Sequence, residues 1–149
     1  VHAVRDGLLI QEEYAGEDRT FMPWRVVVST VMCQQTSGSQ VRPVLDELFS
    51  RWPEPAELAL ADRAEVESVI SPCGLQSRRA DTLNIVSNKF HEWECVVSFG
   101  IRPPHEWVGE LPGCGEYTVE AYRFVAWGDR SFKPKDKELL KAWERDGGV

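Results

Sequence analysis

The sequence predicts an all-α fold. Three observations carry the expectation. Apolar residues recur at helical spacing in most segments, short loops punctuated by Pro and Gly separate those segments, and no stretch combines strict apolar–polar alternation with a hairpin turn. A chain of 149 residues is long enough for one ordinary domain, or for two small lobes sharing a core. No internal repeat or low-complexity segment divides it.

The elements follow in chain order. Pro23 suits the first turn of a helix, with Thr20 upstream as a cap. Residues 24–33, WRVVVSTVMC, are nearly all apolar or small, which fits a buried helix or a buried strand; the valine run does not choose. In QVRPVLDELFSRW, Val41, Val44, Leu45, Leu48 and Phe49 have helical spacing, Pro43 reads as a first-turn proline and Pro53 as the stop. PAELALA makes a short helix. Asp62 caps the next one, with Ala64, Val66, Val69 and Ile70 on one side. Pro72 and Gly74 break the chain. Ser77 caps a longer helix to about Phe90, with Ala80, Leu83 and Val86 along its apolar side. Residues 91–102 carry no clear pattern. Then come a short helix from Pro104 to Glu110, a tight turn at LPGCG, the helix EYTVEAYRFVAW ended by Gly128, a loop with Pro134, and a last helix from about Asp136 to Arg145.

Composition narrows the function classes. Hydrophobic residues at 42% and charged residues at 28% are those of an ordinary globular domain, and no run of about 18 apolar residues suggests a membrane span. VHAVRDGLLI has neither the basic start nor the apolar stretch of a secretory leader, and the chain lacks an initiator Met, so a piece of a longer intracellular protein is expected, nuclear in a eukaryote or cytoplasmic in a prokaryote. Cys33, Cys73, Cys95 and Cys114 are widely spaced, and His2, His91 and His105 are dispersed; neither set has zinc or iron–sulfur spacing. The net charge of −7 weighs against nucleic-acid binding, but the acidic excess lies in Glu12 to Asp18 and Glu54 to Glu67. Basic residues gather elsewhere, at Arg78 and Arg79 and at Arg130, Lys133, Lys135, Lys137 and Lys141, enough for one basic face.

The most informative stretch runs Leu111-Pro112-Gly113-Cys114-Gly115-Glu116-Tyr117-Thr118. Two glycines two apart make a sharp turn between helices, and the amides at the start of the second helix form a donor site for a phosphate. On these residues alone an ordinary helical hairpin fits equally well. Asp136 follows about twenty residues on, after a loop, at the head of the last helix. It suits a helix N-cap, a catalytic carboxylate, or both.

This order of LPGxG hairpin, helix, loop and Asp resembles the helix-hairpin-helix (HhH-GPD) DNA glycosylase superfamily. Within it, the chain is most similar to the thymine/uracil mismatch glycosylases typified by the glycosylase domain of methyl-CpG-binding-domain protein 4. PWRVVVSTVMCQQTSG, PVLDELFSRWP, SPCGLQSRRADTL and KPKDKELLKAW resemble successive blocks of that family, and the likeness covers roughly residues 8 to 145. It implies a two-lobed helical fold over residues 1–149 as a single glycosylase domain.

The resemblance also implies roles. Asp136 is the catalytic carboxylate. Tyr117 lines the base pocket, where bifunctional members carry a Schiff-base lysine, so no lyase step is expected. Gln34, Gln35 and Thr36 lie at the DNA surface, one glutamine filling the gap left by a flipped base, where the family typically shows Arg. Leu75, followed by Gln76, is a wedge beside the opposite strand. Gly113, Gly115, Glu116 and Thr118 of the hairpin, and Lys137, meet the DNA backbone. The carbonyls of Gly109, Leu111 and Cys114 match those that hold a structural Na+ or K+ in relatives; no other cofactor, and no iron–sulfur cluster, is expected. Thr30 stands where adenine glycosylases carry a catalytic Glu. Each role has a plainer counterpart in the residues themselves: Leu75 and Tyr117 as core, the glutamines as the end of a helix, the lysines as a solvated face.

The function implied is monofunctional excision of a mispaired or damaged pyrimidine (thymine or uracil opposite guanine, or a modified uracil) from double-stranded DNA, by a monomer, in base excision repair. The alternatives are a helix-hairpin-helix DNA-binding module without catalysis, a glycosylase for adenine or 5-methylcytosine, and a helical protein-interaction domain. Only the last predicts no salt-dependent DNA affinity.

Overall fold

The computed structural model describes residues 8–98 and 100–148, and every regular element among them is helical. The order is α1 (Ile10–Ala15), α2 (Pro23–Cys33), α3 (Gly38–Arg51), α4 (Pro55–Ala59), α5 (Arg63–Ile70), α6 (Gln76–Val96), α7 (His105–Gly109), α8 (Glu116–Ala126) and α9 (Lys137–Arg145), with single 3₁₀ turns at Asp18–Thr20 and Ser71–Cys73. Residues 1–7, where the absence of a leader and His2 were read, lie outside the described residues. No described helix is long and apolar enough to cross a membrane.

The valine-rich segment is a helix because it is central. Pro23 presets its first turn, and α2 packs against α1, α3, α6 and α8, so Val26, Val27 and Val28 are all fully buried. A helix surrounded by helices is apolar on every face, which is why periodicity could not identify it. Trp24, 1% exposed, donates its indole N–H to Ser87 on α6 at 3.0 Å. The cap expected at Thr20 is not made; Met22 precedes the helix in extended conformation.

Three other boundaries move. α1 falls in a stretch read as an acidic run, yet Gln11 and Glu13 are buried there. Glu13 is neutralised by Arg42 of α3, which reaches both its oxygens at 3.0 and 3.1 Å. α3 starts at Gly38, so Pro43 lies inside the helix, beyond its first turn. α6 begins at Gln76 with left-handed Leu75 before it; Ser77 is inside the helix, which runs past Phe90 to Val96.

Among the described residues, the buried hydrophobic side chains form two clusters. The larger is built on α2, α3, α5 and α6. The smaller joins Leu9 to Ala121 and Phe124 of α8 and to Leu139, Ala142 and Trp143 of α9. α8 serves both, since Tyr122 and Ala126 belong to the larger. The junction between the clusters positions the site.

Candidate active site

A cleft of about 770 Å³ opens at this junction. Leu9 and Tyr117 line it from the smaller cluster, Ile10 and Cys33 from the larger, and Asp136 stands at its rim with Gln34, Gln35 and Thr36. A second cavity of about 610 Å³ lies at the opposite end of α2, among Trp24, Trp93, Arg25 and Arg102. It holds none of the site residues expected from the sequence.

Asp136 is placed by the loop before it. Glu120, buried on α8, accepts the backbone N–H of Lys135 at 3.1 Å, and Trp143 donates to the carbonyl of Arg130 at 3.1 Å. Asp136 is also the N-cap of α9: its Oδ2 accepts from the amides of Glu138 and Leu139, both at 3.0 Å. Its Oδ1 has no partner among the described residues. One oxygen anchors the carboxylate and the other is left to the cleft. Capping and chemistry are compatible in the same side chain.

The floor is set by a residue that the sequence reading passed over. Gln11 is 3% exposed, and its Nε2 donates to Thr30 Oγ1 at 3.2 Å and to the Tyr117 hydroxyl at 3.1 Å. Thr30 gives its only proton to the carbonyl of Val26 at 2.7 Å, so toward Gln11 it can only accept. That fixes the amide's orientation. The Gln11 carbonyl oxygen, without a partner among the described residues, is the acceptor offered to the cleft. Tyr117, accepting from Gln11, keeps its own proton to donate. Burial pushes the Tyr117 phenol up, so it stays protonated; burial likewise pushes the Cys33 thiol up to about 12. The cleft thus presents an acceptor and a donor side by side, with an uncommitted carboxylate oxygen nearby. A glutamine in an acidic stretch carries no period or motif, and only its burial marks it.

Several of the remaining expected residues, Gln34, Gln35, Leu75 and Gly113, line one further hollow. Gln35 and Leu75 are both exposed, Leu75 at 53%, and both have left-handed backbone, φ +55° and +50°. For a side chain other than glycine that conformation costs about 1–2 kcal/mol. Gln76 is exposed beside Leu75. Gln34 is not a free surface residue: its amide reaches Thr118 Oγ1 at 3.4 Å, and Thr118 is fully buried. Thr36 donates its hydroxyl proton to the Gln34 carbonyl at 3.0 Å. Gly115 precedes α8 with no side-chain cap, so the first-turn amides of that helix stay available to an anion. Glu116 pairs with Lys135 at 2.7 Å, Lys141 with Glu138 at 3.6 Å, and Arg130 with Asp146 at 2.9 Å. Lys133, Lys137 and Arg78 are exposed and make no ion pair among the described residues. Arg79, read as part of a basic face, is buried at 4% exposure.

The hairpin packs hard on α6. Gly113 has φ +80°, and a Cβ there would lie 2.7 Å from Thr82 Oγ1 and 2.8 Å from its methyl carbon. Gly113→Ala is expected to destabilise the protein by about 1–3 kcal/mol through strain and overpacking, as read by urea denaturation. Leu111 and Cys114 are buried and Gly109 exposed, and the Leu111 carbonyl accepts the Cys114 amide at 3.1 Å. Among the described residues no group of three or more His, Cys, Asp or Glu side chains converges as a metal site.

Comparison with known proteins gives concordant results. Residues 28–148 match a family model described as HhH-GPD superfamily base excision DNA repair protein. The chain is 30% identical over 132 residues to a thymine/uracil-DNA glycosylase of Pyrobaculum aerophilum, covering 85% of this chain and 54% of that protein. It is 32% identical over 130 residues to a thymine-DNA glycosylase of Aeropyrum pernix, covering 85% and 55%, and 30% identical over 132 residues to a methyl-CpG-binding domain protein 4-like protein of Arabidopsis thaliana, covering 86% and 27%. The chain therefore spans about half the length of the first and second of these relatives, and less of the third. In three dimensions it resembles the protein of a non-covalent endonuclease III–DNA complex, with a TM-score of 0.63 at 20% identity over 77% of this chain and 51% of that one. It also resembles a thermostable thymine-DNA glycosylase, with a TM-score of 0.58 at 22% identity over 80% and 57%. Likeness at such identities is a likeness of fold.

Proposed function

Because the chain belongs to the HhH-GPD superfamily of base excision DNA repair proteins, we propose that it is a monofunctional DNA glycosylase that excises thymine or uracil mispaired with guanine from double-stranded DNA. The observation that carries this reading is the cleft between the two clusters, where the uncommitted Oδ1 of Asp136 faces the same space as the Gln11 carbonyl and the Tyr117 hydroxyl.

The glycosidic bond is out of reach inside a duplex, so the base must leave the stack, at a cost of a few kcal/mol that is smallest at a mismatch. Gln35 and Leu75, exposed on turns of left-handed backbone, fill the space left behind. A flipped thymine or uracil offers an imide N–H beside a carbonyl. That pair complements the acceptor on Gln11 and the donor on Tyr117. As the C1′–N bond breaks, the sugar gains positive charge. Asp136 Oδ1 stabilises that charge and accepts a proton from the attacking water, which forms the new C1′–O bond, while the base leaves with the bonding electron pair. No lysine is among the cleft-lining residues, which supports attack by water over formation of an imine. The similarity to thymine/uracil-DNA glycosylases supports the choice of base. The hairpin amides, Lys137 and Arg78 supply phosphate contacts, and a monovalent cation on the carbonyls of Gly109, Leu111 and Cys114 would add to them.

The test is single-turnover cleavage of duplexes carrying one G:U, G:T, G:hydroxymethyluracil or A:8-oxoguanine pair, followed by alkali. Strand breaks that need alkali, at a pyrimidine opposite G, are expected. Breaks without alkali would overturn the monofunctional assignment. Cleavage confined to the adenine strand would overturn the base assignment. No cleavage by folded protein that binds DNA would leave a binding module.

A further inference from the structure

We infer that Arg79 is a positioning residue that joins the two duplex-facing turns into one rigid plug; the inference rests on the glycosylase reading above. Arg79 is on the first turn of α6 and only 4% exposed. One arm, Nη1, donates to the carbonyl of Cys73 at 3.1 Å, and the other, Nη2, donates to the carbonyl of Gln34. Each carbonyl sits immediately before a stretch of left-handed backbone. Gln34 precedes Gln35, at φ +55°. Cys73 precedes Gly74 and Leu75, at φ +77° and +50°.

Among the described residues, non-glycine positive φ occurs at Asp18, Gln35 and Leu75 alone. Two of the three therefore flank one guanidinium. Neither Gln35 nor Leu75 is held in place by burying its own side chain, since both are exposed. Their turns lie far apart in sequence and face each other across a hollow of about 240 Å³, which Arg79, Thr82 and Gly113 also line. Arg79 forms no carboxylate ion pair among the described residues; the two carbonyls are its hydrogen-bond partners. A buried guanidinium without a carboxylate is an expensive way to fill space. A planar fork that bonds two separate carbonyls at once is what a lysine or an aliphatic side chain cannot supply. Its effect is to set the distance between Gln35 and Leu75, so that both enter the duplex together when the base leaves.

The inference predicts energetic coupling between the plugs. In the wild-type background, Gln35→Ala and Leu75→Ala are each expected to slow single-turnover excision from a G:U duplex, and the double variant to lose about tenfold less than the product of the two. In an Arg79→Gln background the losses become multiplicative. Arg79→Lys, which keeps the charge but not the fork, falls between. Fluorescence of 2-aminopurine placed beside the mismatch reports flipping without excision, and its amplitude is expected to show the same pattern. A merely structural Arg79 would lower thermal stability and leave the coupling unchanged. Multiplicative losses in the wild type, or coupling that survives both Arg79 variants, would overturn the inference. Should Arg79→Gln fail to fold, Arg79→Lys carries the comparison. Absence of wild-type excision from every duplex would count against the glycosylase reading, while the fluorescence cycle would still decide the role of Arg79.

Discussion

Asp136→Asn is expected to slow single-turnover excision by about 10³-fold, since in the proposed mechanism the side chain would both stabilise the cationic sugar and take the proton of the attacking water. The substitution is informative because of the cap. Asn is as good an N-cap as Asp, so the bonds from the amides of Glu138 and Leu139 survive and α9 keeps its start. Thermal stability should be nearly unchanged, and affinity for mismatched DNA should be retained. Asp136→Ala loses the cap as well, a further cost of about 1 kcal/mol in stability. If both variants lost excision only in proportion to lost folded protein, Asp136 would be a cap and nothing more.

The second large effect is expected at Gln11. Gln11→Leu keeps the volume but removes the acceptor that the cleft offers to an imide N–H, and a fall of about 10²-fold in kcat/KM for G:T and G:U substrates should follow. The structural cost is small. Thr30 already donates to Val26, and Tyr117 faces the cleft, where water can serve it. DNA affinity should hardly move, because phosphate contacts dominate it. A substrate carrying N3-methyluracil supplies the complementary arm, since it lacks the N–H. The wild type should reject it strongly, and Gln11→Leu should process it about as well as uracil. Equal discrimination by both proteins would place base recognition elsewhere in the cleft.

The helices and the hairpin were legible because each is written locally, in spacing, prolines and glycines. So was the place of Asp136, which heads a helix after a loop and caps it as its position suggested. What escaped the sequence depends on contacts between distant segments. α1 escaped because Gln11 and Glu13 are polar and buried, and their burial is explained by Thr30, Tyr117 and Arg42, none of them neighbours in the chain. Arg79 looked like surface charge for the same reason: its partners are backbone carbonyls, one of them on the far side of α3 in sequence. The start of α6 was misplaced at Ser77 because a left-handed leucine is a conformation the residue itself does not favour; its surroundings impose it.

The ion pairs around the last helix bear on how such a protein would find a rare lesion. Lys135, Lys141 and Arg130 are each paired with a carboxylate, so among the cations of the expected basic face Lys133, Lys137 and Arg78 remain exposed without an ion pair among the described residues. Contact with an intact duplex would displace few counterions, so each visit would be brief and scanning would proceed by short hops. Residence would then lengthen only where a weakened pair lets Gln35 and Leu75 enter, and dwell time itself would discriminate damaged from sound DNA.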